Sequence, residues 1–76
     1  MEKIEFDFSE LRGRIVTRYG NCTNFCRAIN MGRAQLSGRL NNKIKFSPEE
    51  IDIICAPEIL DIRQSEIGRV FFTRKV

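Results

Sequence analysis

Residues 21–41 read NCTNFCRAINMGRAQLSGRLN, and this stretch decides the fold. Apolar residues recur at helical spacing on both sides of a short break at Asn30–Gly32, which contains the turn-forming residues asparagine and glycine. The second helix begins near Arg33 and is expected to bury Leu36 and Leu40. Two short helices joined by so tight a turn form a helix-turn-helix, and neither helix is stable in water without packing against the rest of the chain.

Helix signals continue upstream of this segment. Asp7 and Glu10 have the spacing of a capping box and predict a helix over 8–19. Gly20 is expected to end that helix in a left-handed conformation, because glycine adopts a positive φ without strain. Asn21 is then the expected cap of the first helix of the helix-turn-helix.

The downstream half contains the clearest helix start in the chain. Ser47 and Glu50 form a second capping box around a proline and predict a helix over 48–55, which Pro57 ends. A last helical segment is expected over 63–72. Besides Leu36 and Leu40, helical spacing predicts further inward-facing residues. They are Phe8, Leu11, Ile15, Val16, Tyr19, Phe25, Cys26, Ile29, Ile67, Val70 and Phe71.

These elements predict an all-α fold. The chain of 76 residues can bury one small core, so residues 1–76 are expected to form a single compact domain of four to five helices. The helix-turn-helix occupies residues 21–41 of that domain. Alternating apolar residues over 4–8 and the apolar tail over 70–76 leave short terminal strands as an open alternative.

Charge is distributed unevenly along the chain. The formal charge of +3 divides into −3 for residues 1–10, +8 for residues 11–46 and −2 for residues 47–76. Since the central segment contains no acid, its cations are expected to form a positive surface, which is typical of proteins that bind a polyanion. A solvated basic face without a partner is the alternative. The eight central cations are Arg12, Arg14, Arg18, Arg27, Arg33, Arg39, Lys43 and Lys45.

The composition argues against catalysis and against a bound metal. The chain has no histidine, which removes the most common general base, and the acids near residue 50 begin a helix, where they complement the helix dipole. The three cysteines, Cys22, Cys26 and Cys55, lack a fourth zinc ligand and follow no secretory signal, so free thiols are expected. The chain is therefore predicted to be no enzyme and to bind no cofactor, small-molecule substrate or membrane.

On these residues the chain resembles a known family. Residues 21–43, and above all the stretch 31–41, are similar to the helix-turn-helix of the Cro and C1-type repressors of bacteriophages. The segments 8–15 and 66–72 are similar to a small Cro-like group of these proteins. The resemblance implies a lambda-repressor-like domain that binds DNA, although the family usually has glutamine where this chain has Cys22.

The resemblance also implies roles for single residues. The family contacts bases from the first, second and sixth positions of its recognition helix, here Arg33, Ala34 and Gly38. Arg33 is suited to guanine, Ala34 to a thymine methyl and Gln35 to adenine, while Ser37 is a further candidate. Gly38 costs about 1 kcal/mol of helix stability, which is expected where a ligand approaches closely. The expected contacts to the DNA backbone are Asn21, Thr23, Arg39, Asn41, Asn42, Lys43 and Lys45.

The sequence thus predicts a transcriptional repressor that occupies a double-stranded DNA operator without catalysis, in the cytoplasm of a bacterial host and associated with its nucleoid. A homodimer on a pseudo-palindromic site is expected. Its candidate dimer surface is Val70, Phe71, Phe72 and Val76, unless these residues pack into their own core. Two other classes stay open: an antitoxin-like or antirepressor-like module that binds an acidic protein, and a non-specific RNA binder.

Overall fold

The structure, a computed structural model, describes residues 4–75 and contains five helices within them. In chain order they are α1 (Ser9–Tyr19), α2 (Cys22–Ile29), α3 (Arg33–Leu40), α4 (Pro48–Cys55) and α5 (Gln64–Phe71). α1 packs against α2 and α5, and α2 packs against α3. The predicted compact all-α fold is confirmed. Over 4–75 the terminal segments form one antiparallel bridge, between Phe6 and Arg74, in place of the strands left open above.

Three local signals place helix ends where the sequence predicts them. The Asn21 side-chain oxygen accepts the Asn24 N–H at 2.9 Å and so caps α2. Ser47 Oγ accepts the Glu50 N–H at 3.1 Å, and Glu50 Oε1 accepts the Ser47 N–H at 2.9 Å, so this reciprocal capping box begins α4. Gly20 ends α1 with a φ of 83°, a conformation that favours glycine.

The capping box predicted for α1 is wrong. The Asp7 carboxylate accepts hydrogen bonds from the N–H and the hydroxyl of Ser9, while the N-cap residue is Phe8, which has no capping side chain. Glu10 does not fold back onto the helix start but accepts hydrogen bonds from Arg14 in its own helix and from Arg69 in α5. A tertiary ion pair, which no local pattern reveals, has taken the carboxylate that the box needs.

The core is formed by one apolar face of each helix and by the loop between α4 and α5. Val16 is an exception to the predicted inward set, with 55% of its surface exposed, because it lies beyond the face that Leu11 and Ile15 define. Leu60 and Ile62 are buried although they belong to a loop, where helical periodicity has no meaning. The buried apolar residues are Phe8, Leu11, Ile15, Phe25, Cys26, Ile29, Leu36, Leu40, Ile51, Ile54, Leu60, Ile62, Val70 and Phe71.

An aromatic contact joins three distant parts of the chain. The Phe46 ring, in the loop after α3, lies edge to face with Phe8 at 5.5 Å and with Phe71 at 5.3 Å between ring centroids. Such aromatic pairs contribute about 0.5 to 1.5 kcal/mol beyond the area they bury. The loop that follows α3 is therefore fixed to both the N-terminal segment and α5.

The C-terminal apolar residues divide between core and surface. Val70 and Phe71 are almost fully buried in their own core, so they cannot form the dimer surface considered for them. Phe72 is 50% exposed. Val76 lies outside the described residues.

Four charged side chains join α1 to α5. Arg14 Nη2 lies 2.9 Å from Glu10 Oε2 and 2.8 Å from Glu66 Oε2. Arg69 Nε lies 2.8 Å from Glu10 Oε1, and its Nη2 lies 3.1 Å from Glu66 Oε2. Hydrogen bonds from Arg69 and Arg14 lower the pKa of Glu10, and a hydrogen bond from Arg14 lowers the pKa of Glu66.

We expect acid to weaken this link between α1 and α5. Because the folded-state pKa of both glutamates is depressed, their contribution to stability is present above the ordinary value of 4.5 and is lost as the pH falls through the lowered pKa. Urea unfolding midpoints should therefore decrease below that value, and Arg14→Met should flatten the decrease. Arg18→Met, which removes an exposed cation from the same helix, is the matched control. If both variants reduced the pH dependence of the urea midpoint equally, the stabilising role given to the ion pairs of Arg14 would be contradicted.

Candidate nucleic-acid interface

The turn between α2 and α3 is held by its own backbone. Asn30 ends α2 in a left-handed conformation with a φ of 55°. The Met31 N–H donates to Cys26 O at 3.0 Å, and the half-buried Met31 side chain packs against the core. Gly32 is extended and precedes α3 directly. The two helices are thus joined by three residues, as predicted.

α3 presents a small polar surface to solvent. Leu36 and Leu40 are buried in the core, as the sequence predicts. The opposite side of the helix consists of exposed side chains and is called here the exposed α3 face: Arg33, Ala34, Gln35 and Ser37. Four of the five residues expected to contact bases therefore lie together on one accessible surface.

Two side chains of the exposed α3 face already have hydrogen-bond partners. The Gln35 amide oxygen accepts the Gly32 N–H at 3.1 Å, so a bidentate contact with adenine requires this bond to break. Ser37 Oγ accepts a hydrogen bond from Asn41 Nδ2 at 3.2 Å. Asn41 Oδ1 in turn accepts one from Arg12 Nη2 at 3.3 Å, which brings this α1 cation to the end of α3.

Gly38, the fifth expected base contact, is approached by the chain itself. A Cβ at this position would lie 3.3 Å from Ile44 Cδ1. Gly38 O also accepts the N–H of Lys43 at 2.8 Å and that of Ile44 at 3.2 Å. The loop after α3 therefore folds back onto Gly38, and the close approach expected of a ligand is made by Ile44. Gly38 is left out of the candidate base contacts for this reason.

Arg39 is held in an ion pair. Its Nε and Nη2 donate to the two carboxylate oxygens of Glu50 at 2.9 and 2.8 Å, and its Nη1 donates to Gln35 O at 2.9 Å. Only 15% of its side chain is exposed, and its hydrogen bonds lower the pKa of Glu50. This geometry does not support the phosphate contact expected of Arg39, because all three guanidinium nitrogens already donate within the protein.

Asn42 is also used inside the fold. It has a φ of 63°, and its side-chain amide pairs with the backbone of Phe6. Asn42 Oδ1 accepts the Phe6 N–H at 2.8 Å, and Asn42 Nδ2 donates to Phe6 O at 3.0 Å. The amide thus replaces a neighbouring strand for the N-terminal segment, and the phosphate contact expected of Asn42 is not supported.

The positive surface is smaller than the sequence count suggests. Acids from outside the central segment pair with Arg14 and with Arg39, as described above. The other six central cations form no salt bridge with any residue in the described range 4–75. They are Arg12, Arg18, Arg27, Arg33, Lys43 and Lys45. Lys43 and Lys45 are exposed just beyond α3, where phosphate contacts were expected.

The sequence reasoning missed Arg27 as a candidate contact. Arg27 and Arg33 line a shallow depression at the α2–α3 turn together with Thr23. Thr23 and Arg27 are four residues apart and therefore lie on the same face of α2, a spacing that could have identified Arg27. Asn21 is exposed at the start of α2, although its side-chain oxygen is used as the helix cap.

Two further expectations concern thiols and membranes. All three cysteines are free, and burial raises the pKa of Cys26 and of Cys55, which keeps both thiols protonated. Over the described residues, none of the helices combines the length and the apolar character needed to cross a bilayer.

Comparisons with known proteins correct the family expected from the sequence. A family model described as "Protein of unknown function (DUF739)" matches residues 4–74. No curated protein matches the chain. The expected relationship to the Cro and C1-type repressors is therefore wrong. The pattern over 21–43 specifies two helices and a turn, which different families share, and so it could not identify the family.

Among solved structures, the chain is similar to the modulator of repression (MOR) of the temperate bacteriophage TP901-1 from Lactococcus lactis, whose solution structure is known. The two are 28% identical, the match covers 88% of each chain, and the TM-score is 0.76. The likeness extends to the helical fold and points to regulation of phage repression.

Alanine substitutions at two helical glycines should separate helix propensity from the contact with Ile44. Gly13 lies in α1, and an alanine Cβ there would have no neighbour within 4 Å, so Gly13→Ala should stabilise the fold by about 1 kcal/mol. Gly38→Ala should gain less, because the half-exposed Ile44 side chain must move by a few tenths of an ångström. Urea unfolding of both variants measures the difference. An equal gain at both sites would contradict the packing described here.

Arg39→Met tests the structural role of the ion pair. The variant leaves the Glu50 carboxylate without its main partner and should lower the free energy of unfolding by about 2 kcal/mol. The pKa of Glu50 should rise towards its ordinary value, which NMR titration of the carboxyl carbon can follow. Lys43→Met removes an exposed cation from the same region and should change the stability little. Unchanged stability in Arg39→Met would return this residue to the candidate phosphate contacts.

Proposed function

The chain belongs to the DUF739 family, and on that premise we propose that it regulates phage repression by binding duplex DNA through the exposed α3 face. The observation that carries the proposal is the position of this face. Four small or polar side chains project from a short helix beside cations that have no acidic partner in the described residues. A helix of this kind fits the major groove, and the similarity to a phage modulator of repression supports a regulatory role.

In the proposed complex, Arg33 is the main base contact, because a guanidinium can donate two hydrogen bonds to guanine. Ala34 meets a thymine methyl group, and Ser37 donates or accepts one hydrogen bond. Gln35 contacts adenine once its bond to the Gly32 N–H is released. The proposed contacts to the DNA backbone are Asn21, Thr23, Arg27, Asn41, Lys43 and Lys45.

This function needs no catalysis and no cofactor, since a protein that occupies a control site acts by excluding or recruiting others. It belongs in the cytoplasm of the bacterial host, where a phage genome is transcribed. The number of copies on the DNA can be read from the bound sequence. A pseudo-palindromic site indicates a homodimer, and a single half-site indicates one copy.

A protein-interaction module of the antirepressor kind is the second candidate. It is favoured by the internal use of three expected DNA contacts, Gly38, Arg39 and Asn42, which reduces the surface left for DNA. It also agrees with the name of the similar phage protein, which modulates repression. DNA sequence discrimination separates the two candidates, because only the first requires it.

Selection from a pool of random duplex DNA should yield an enriched motif. Arg33→Ala should relax one position of that motif, at a cost of about 1 to 3 kcal/mol in discrimination. Lys43→Ala should weaken binding to all sequences alike and should reduce the slope of log affinity against log salt by about 0.9. Fluorescence anisotropy with selected and scrambled duplexes measures both effects.

Arg18→Ala is the matched control for this experiment. Arg18 is an exposed cation of α1 that borders a depression lined by Gly13, Thr17 and Leu60, and none of the proposed contacts lines this depression. Its removal should leave the motif and the salt slope unchanged. Absence of any enriched motif, or equal effects of all three substitutions on every sequence, would remove the DNA-binding proposal.

A further inference from the structure

An apolar groove lies between the N-terminal segment, the loop after α3 and the end of α5. It has a volume of about 510 Å³, and this apolar groove is lined chiefly by Ile4, Phe6, Ile44, Phe46 and Phe72. Ile4, Ile44 and Phe72 are 45%, 49% and 50% exposed. Single exposed apolar residues are common on protein surfaces, but three that converge on one groove are typical of a binding surface.

The rim of the apolar groove is positively charged. Lys43 and Lys45 both line the groove, both are exposed, and neither takes part in a salt bridge between described residues. Among the described lining residues there is no carboxylate. An apolar floor with a cationic rim is complementary to an apolar segment that carries acidic residues on its flanks.

The described backbone around Phe6 is hydrogen-bonded on both sides. Both the N–H and the carbonyl of Phe6 bond to the Asn42 amide. On the other side, the Asp7 N–H donates to Thr73 O at 2.7 Å, and Glu5 O accepts the Lys75 N–H at 2.9 Å. This disfavours strand addition at Phe6 and favours a partner that inserts side chains into the groove, as an amphipathic helix does.

We propose that the apolar groove binds an amphipathic helix of a partner protein, with apolar residues that enter the groove and Asp or Glu residues that meet Lys43 and Lys45. The proposal goes beyond DNA binding and does not rest on it, because the groove is formed by different side chains from the exposed α3 face.

The same observations disfavour the other occupants. A second copy related by a two-fold axis would bring the lysines of both rims into one interface, and like charges there oppose association. Stacking of a single-stranded base needs an open aromatic face. At Phe6, Lys45 Nζ covers one face at 5.6 Å from the ring centroid, and Phe72 packs against the same ring at an interplanar angle of 84°.

A display library tests the proposal on the full chain without DNA. The library presents helical peptides with leucine fixed at positions i, i+4 and i+7 and with randomised flanking positions. Selection should enrich Asp and Glu at the flanks. Phe72→Ser and Ile44→Ser should each weaken the selected peptide by about tenfold or more. Replacing Lys43 and Lys45 together by glutamate should shift the selected flanks to Lys and Arg.

Ile53→Ser is the matched control, because Ile53 is 48% exposed on α4 and does not line the apolar groove. It should leave peptide binding unchanged. Neutral or basic flanks in the selection, or equal weakening by Ile53→Ser, would overturn the proposal.

Two further measurements test the other occupants. If the protein self-associates in sedimentation and Phe72→Ser abolishes this, the groove belongs to a second copy. If the protein binds oligothymidine and the same variant abolishes this, the groove belongs to single-stranded nucleic acid. Relaxation of one position of the DNA motif in Arg33→Ala tests the other proposal separately.

Discussion

The carboxylate of Glu50 is the interaction on which the position of α3 depends. Its Oε1 accepts the Ser47 N–H and thereby fixes where α4 begins, while both of its oxygens accept hydrogen bonds from Arg39 at the end of α3. Arg39 also donates to Gln35 O, one turn earlier in its own helix. One largely buried ion pair thus connects the start of α4 to the last turn of α3. It adds to the apolar contacts of Leu36 and Leu40, since a helix of 8 residues is stable only when it packs against the rest of the chain.

Acidic residues outside the basic segment decide which part of that segment stays positive. Glu10 and Glu66 pair with Arg14 between α1 and α5, and Glu50 pairs with Arg39 between α3 and α4. These ion pairs lie where helices meet, so they consume cations that would otherwise enlarge the positive surface. The cations near the α2–α3 turn and beyond α3 have no such partner in the described residues. Of these cations, Arg27 and Arg33 lie at the α2–α3 turn and Lys43 and Lys45 line the apolar groove.

The sequence predicted elements whose signals are local and missed features that depend on tertiary contacts. The bounds of the helix over 48–55 followed from Ser47, Pro48 and Glu50, and the burial of Leu36 and Leu40 followed from helical spacing. The sequence could not reveal that Glu10 pairs with Arg69, that Asn42 pairs with Phe6, or that Ile44 folds back onto Gly38, because each contact joins residues whose approach the fold determines. The expected family was wrong for a related reason, since a pattern of two helices and a turn occurs in many different families.

Lys43 belongs to both proposed surfaces, and this has a thermodynamic consequence. In one role its charge meets a DNA phosphate, and in the other it meets a carboxylate of a partner helix. A DNA phosphate and a partner carboxylate repel each other and therefore compete for the single Lys43 ammonium group. Binding of either ligand then lowers the affinity for the other by the same factor. The size of that factor depends on how much of each affinity Lys43 and Lys45 provide, and it therefore decreases as salt screens both interactions. A protein built in this way can regulate repression while its own access to DNA is regulated by an acidic partner.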